Sequence, residues 1–251
     1  MENSIRVAGM GTCLLMGGVA FFVVLLLGNP VIALLKKYRI GKQIRLDGPS
    51  SHMVKTGTPT MGGVVFVGVA LVLVFGMYLI SRLLVRITPN FGGVVLIGKS
   101  LAIPMLVMLG FAIMGAIDDY MGVRGVRRGE GMRGRSKFAI QIVIATVAAL
   151  VMNLSFDISR VGIPFVATPL DLGVLWIPVA IFIILASANG VNFTDGLDGL
   201  AALISFLIFI AYGIIAYLQG QVFLTMLCMV LAGALAGFLW FNVPPAGVFM
   251  G

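Results

Sequence analysis

The chain has 251 residues, 60% hydrophobic and only 10% charged, with a mean hydropathy of +1.13. A soluble domain carries about 25% charged residues, so a water-soluble globular fold is excluded and an all-α, polytopic membrane helix bundle is expected. The net charge of +8 would suit nucleic acid, but aromatic residues are nearly absent among the basic clusters, and no nucleic-acid partner is expected.

About 20 apolar residues cross a bilayer as a helix, and seven runs meet that length or approach it. The first covers residues 7–35 and contains Asn29-Pro30, expected to bend it or to mark one membrane face. It is too long for a signal-peptide core and reads as a retained helix. The others cover residues 61–81, 100–117, 138–156, 172–188, 200–218 and 222–241. The connection 157–171 contains proline and has room for a small hairpin. Cys13 and Cys228 each lie in an apolar run and read as small buried residues, not as a disulfide or metal site.

Six of the 17 Lys and Arg residues lie in 36–55 and six in 118–137, while the other five fall on the opposite side of the membrane. Cytoplasmic loops carry the Lys/Arg excess, so these two segments are expected inside, with the N-terminus outside. By parity, residues 189–199 and the tail after Phe241 also face the cytoplasm. Every polar cluster that looks chemical therefore opens on one side.

Residues 189–199 form the densest such cluster, read as a loop between two apolar runs. Asp195 and Asp198 stand three residues apart and would share a face on a helical turn. Two converging carboxylates repel unless a cation lies between them, and an oxygen-only set suits Mg²⁺ shared with phosphates. Asp118-Asp119-Tyr120 ends the third run. Adjacent acids there oppose the helix dipole, and they can bind metal or act as a base with an orienting partner. Gly57-Thr58-Pro59-Thr60-Met61-Gly62-Gly63 opens the second run two residues after Lys55; backbone N–H groups at a helix start favour anions. The Arg-rich segment 124–137 suits anionic headgroups or a phosphorylated substrate. His52, the one histidine, has no neighbouring ligand type and reads as a solvated residue.

With these residues in view the chain resembles the bacterial phospho-N-acetylmuramoyl-pentapeptide transferase family, within the polyprenyl-phosphate aminosugar-1-phosphate transferases. The resemblance runs through Lys55 with Gly57 to Gly63, Asp118-Asp119-Tyr120, and Gly131-Met132 with Arg135, Lys137 and Gln141. It continues through Asn189 to Ala201 and ends with Phe238 to Asn242, Pro245-Ala246 and Val248 to Gly251. It implies a single integral-membrane transferase domain over 1–251 in the bacterial cytoplasmic membrane. The implied reaction passes phospho-MurNAc-pentapeptide from UDP-MurNAc-pentapeptide to undecaprenyl phosphate, with release of UMP and formation of lipid I. Mg²⁺ is the implied cofactor, and a homodimer is an accompanying expectation.

Carried onto these positions, the resemblance implies that Lys55, Thr60, Asn192, Asp195, Asp198, Asn242 and Phe249 form the nucleotide-sugar and metal site. Asn192 and Asp195 are the implied metal ligands. Asp118 and Asp119 would face the lipid phosphate, with Asp118 the candidate base and Asp195 also catalytic. Gly122 stands where the family usually has Lys, with Arg124 as the candidate substitute. The family continues beyond Gly251 with a metal-binding Asp, a His-rich loop and further helices, ten spans in all. The domain is thus expected to be C-terminally incomplete and, by itself, inactive or very weak. The competing expectations are a transferase for another UDP-aminosugar, a degenerate non-catalytic homologue, and a transporter. Carboxylates at helix ends rather than at the membrane midplane disfavour the transporter.

Overall fold

In a computed structural model, the described residues are 2–41, 57–87, 101–124, 131–163, 165–166 and 168–251. Among these described residues, seven α-helices follow in chain order: α1 (Glu2–Lys37), α2 (Gly63–Ile87), α3 (Ala102–Arg124), α4 (Gly134–Phe156), α5 (Trp176–Thr194), α6 (Leu200–Leu218) and α7 (Val222–Asn242). Each contains a stretch long and apolar enough to cross a membrane, so the chain is a multi-pass, all-α membrane protein. Between α4 and α5, β1 (Arg160–Val161) and β2 (Leu170–Asp171) pair antiparallel, the hairpin for which the sequence left room.

The bundle is built around α7. Of its apolar window 61% is buried, against at most 22% in any other helix, and it packs on α1, α6 and α2. Lipid is as apolar as leucine, so burial alone does not join helices in a membrane; close packing and polar contacts must. Small residues supply the closeness. A side chain at Gly233 would collide with the backbone of Gly17, and one at Gly237 would come within 2.7 Å of the Phe21 carbonyl oxygen. Ala20, Val24, Val230, Ala234 and Phe238 fill the seam between α1 and α7. Pro30 lies inside α1, where the missing N–H costs one backbone bond that a membrane bundle can tolerate. A second, smaller cluster of Ala149, Trp176 and Ala180 joins α4 to α5, with Val161 of the hairpin packed against it.

Two boundaries that bear on the site differ from the sequence reading. Helix α5 runs through Thr194, so Asn189 and Asn192 are helical and only residues 195–199 form the connection to α6. Asp195 and Asp198 lie in that turn, and the helical spacing invoked for them does not apply. Helix α3 continues to Arg124, which places Asp118 and Asp119 within its last two turns rather than at its end. The polar residues extend these helices because their side chains find partners. Asn189 Nδ2 donates to the Leu185 carbonyl at 2.8 Å, and the Thr194 hydroxyl donates to the Gly190 carbonyl at 2.8 Å.

Candidate functional site

The sequence elements singled out above meet at one end of the bundle. Residues 57–62 precede α2 as an irregular segment, and Met61 adopts a left-handed φ of 69°. This conformation is uncommon for a residue with a side chain. It turns the chain so that buried Thr60 donates its hydroxyl to Asp119 Oδ2 at 3.0 Å. Thus the candidate acid of α3 is fixed by the segment that opens α2.

The neighbouring carboxylate is held from the other side. Lys137 Nζ, in the first turn of α4, donates to Asp118 Oδ2 at 2.7 Å, and the Met132 N–H donates to Oδ1 at 2.7 Å. Both oxygens of Asp118 therefore carry a donor, one of them charged, and such charge-assisted bonds are the stronger class. The cation on Asp118 is Lys137. The guanidinium of Arg124 instead stands over the Tyr120 ring, 5.2 Å from its centroid. Further along α4, buried Gln141 accepts from Asn189 Nδ2 at 3.0 Å, tying α4 to the polar end of α5.

The residues after α7 complete the arrangement. The Phe249 N–H donates to the Pro59 carbonyl at 2.8 Å, Gly62 N–H to the Phe249 carbonyl at 2.9 Å, and Gly63 N–H to the Met250 carbonyl at 2.7 Å. The tail therefore lies along residues 59–63 like an added strand. Gly62 permits this approach: a Cβ there would stand 2.6 Å from the Phe249 carbonyl oxygen. At the tail's end, Gly251 packs directly against the Asp119 carboxylate.

Asn242, at the end of α7, is only 2% exposed. Its Oδ1 accepts from the Gly199 N–H at 3.1 Å, and its Nδ2 donates to the Val248 carbonyl at 2.9 Å. Gly199 has φ of 79°, a left-handed conformation that glycine adopts without steric cost, and it starts α6 directly after the Asp195–Asp198 turn. Asp195 caps α5, its N–H donating to the Val191 carbonyl at 3.2 Å.

Of the sequence-predicted residues, Thr60 and Asp119 are in contact, while Asp118 sits beside them on α3. Asn242 and the tail bearing Phe249 link this group to the turn with Asp195 and Asp198. Asn192 is on the last turns of α5, exposed, as is Asp195. Lys55 and His52 lie outside the described residues. The sequence reading placed Lys137 in the basic segment and both Lys137 and Gln141 in the family resemblance but gave neither a partner; their opposite-charge and amide partners on adjacent helices are visible only once α3, α4 and α5 are packed. Among the described residues no three His, Cys, Asp or Glu side chains cluster as a ready metal cage. The donors that are present, the Asn192 amide and the Asp195 carboxylate, are oxygen ligands of the kind Mg²⁺ takes when phosphates and waters complete its shell.

Fold and site together define a multi-pass membrane protein with carboxylates, amides and a lysine gathered at one end of a helix bundle. Its sequence matches the profile of glycosyl transferase family 4 over residues 101–251, and the phospho-N-acetylmuramoyl-pentapeptide-transferase signature 1 over residues 55–67. The chain belongs to glycosyl transferase family 4, and within it to the phospho-N-acetylmuramoyl-pentapeptide-transferases. A phospho-N-acetylmuramoyl-pentapeptide-transferase from Chloroflexus aurantiacus is 38% identical over 257 aligned positions, covering 99% of this chain and 65% of the relative. Those from Clostridium kluyveri and Staphylococcus saprophyticus are 36% identical, covering 93% of this chain and 68% and 69% of the relatives. The chain thus spans about two thirds of the length of the curated relatives it matches.

Proposed function

We propose that the protein transfers phospho-MurNAc-pentapeptide from UDP-MurNAc-pentapeptide to undecaprenyl phosphate, releasing UMP and forming lipid I. The observation that carries this reading is the junction of Thr60, from the signature segment, with Asp119 and the adjacent Asp118–Lys137 pair. It fixes two acids and a cation at a membrane-helix end, where a lipid phosphate and a soluble nucleotide-sugar can meet.

In this reaction an oxygen of undecaprenyl phosphate attacks the sugar-bearing phosphorus, and the bond from that phosphorus to the UMP oxygen breaks. Such a transfer asks mainly for positioning and charge stabilisation. Asp118 takes the proton carried by the attacking phosphate. Lys137 and the Met132 N–H orient its carboxylate, and the ammonium offers the lipid phosphate a counter-charge. Asp119, fixed by Thr60, stands beside it on α3. Asn192, Asp195, Asp198, Phe249 and Lys55 receive the nucleotide-sugar. Asn192 and Asp195 would hold Mg²⁺, which when bound supplies neutralisation of the pyrophosphate charge.

The Lys/Arg distribution supports a site that faces the cytoplasm. Competing transfer of another UDP-aminosugar is disfavoured by the signature match over residues 55–67. The test is UMP release in detergent with UDP-MurNAc-pentapeptide, undecaprenyl phosphate and Mg²⁺, comparing wild type with Asp195→Asn. In a full-length version, release by wild type and its loss in the variant, with membrane insertion intact, is the expected result. Wild-type turnover in Asp195→Asn sinks the assignment of Asp195.

A further inference from the structure

We infer that Asn242 is a positioning residue: its buried side-chain amide holds the Asp195–Asp198 turn in register with the Thr60–Asp119 contact. The resemblance alone would make it a substrate ligand. Its geometry gives it other work. Oδ1 is taken by the Gly199 N–H, Nδ2 donates to the Val248 carbonyl, and the residue is 2% exposed. An amide offers an acceptor and a donor that can point in opposite directions, and here each meets a different segment.

What the two segments carry gives the bond its importance. Gly199 closes the turn bearing Asp195 and Asp198. Val248 leads into Phe249 and Met250, whose backbone bonds to Pro59, Gly62 and Gly63 seat the tail on the segment that aims Thr60 at Asp119. The path from one pair of acids to the other therefore runs through Asn242. The backbone groups it serves are buried from water, so an unmatched partner is costly.

The inference needs no substrate to be tested, and only its catalytic consequence rests on the transferase reading. Asn242→Asp keeps an acceptor for Gly199 and loses the donor for Val248. Asn242→Leu loses both. In hydrogen–deuterium exchange on the protein without substrate, Asn242→Asp is expected to speed exchange about tenfold in residues 59–64 and 247–251, while residues 195–203 keep their protection. Asn242→Leu is expected to release both regions. Peptides from α1 and the middle of α7 stay protected in each variant. Unchanged exchange at 59–64 and 247–251 in both variants overturns the inference. So does a uniform loss across α1 and α7 in Asn242→Asp, which would make the residue a general packing element.

With substrates, misregistered halves are expected to cut kcat at least tenfold, and release of the segments bearing Asp195, Asp198 and Phe249 is expected to weaken UDP-MurNAc-pentapeptide binding as well. Lost affinity with kcat retained would instead make Asn242 a direct ligand and overturn the assignment. A full-length version that releases no UMP defeats the transferase reading, and the exchange pattern still decides the role of Asn242.

Discussion

A carboxylate whose two oxygens are both engaged cannot swing, and Asp118 is in that condition. Lys137 is about as buried as its partner, with side-chain exposures of 25% and 21%, so solvent screens the pair only in part. A hydrogen bond between charged groups contributes about 1.5–3 kcal/mol. Lys137→Met is accordingly expected to slow transfer by about ten- to a hundredfold. Asp118→Asn should be at least as severe, and the double variant far less than the product of the two, because the residues act as one unit. Strict additivity in UMP-release rates would separate them. Neither this pair nor the Thr60–Asp119 bond was legible in the sequence. The residues themselves stood out as acids and a hydroxyl beside apolar runs, but which donor meets which oxygen depends on how α2, α3 and α4 pack. Arg124 shows the hazard: chain position made it the candidate cation, and stacking on Tyr120 took it elsewhere.

Among the elements, the apolar spans were legible almost completely, since hydropathy and length decide them and α6 begins and ends where the apolar run does. The polar ends were not. Asn189, Asn192 and Thr194 look like loop residues until Gln141 and nearby backbone carbonyls satisfy the first and last of them within α5. The hairpin between α4 and α5 has its own device. The Gly173 N–H donates to Asp171 Oδ1 at 3.0 Å. That bond, the Ser159 hydroxyl and nearby Arg160 hold the Asp171 carboxyl below its ordinary value of 3.8. Since the folded form favours the ionised acid, its stabilisation is complete above that value and disappears as pH falls through the lower, folded one. Protection of the Gly173 amide, corrected for intrinsic exchange, should therefore drop on acidification below about pH 4. Asp171→Asn should remove this pH dependence; an unaltered profile in the variant would assign the effect to another group.

For the molecule as a whole, orientation is the property the sequence argues most simply, from basic residues alone. With Cys13 and Cys228 buried, single cysteines can report on it. In right-side-out vesicles, a membrane-impermeant maleimide should label Ser159→Cys directly, and Ser136→Cys only after permeabilisation. The opposite pattern would invert the bundle. Because α1 to α5 can enter the membrane as separate apolar helices, most of the chain can insert as it is made. The segment 59–63 is different. Besides the bond from the Thr60 N–H to the Ile40 carbonyl, its backbone partners are Phe249 and Met250, about three quarters of the chain further on, and contacts so distant in sequence form late. Synthesis therefore imposes an order: the helices take their places first, and the mouth of the site is laced shut only when the residues after α7 arrive. A nascent chain would hold its acids in the membrane well before it could align them.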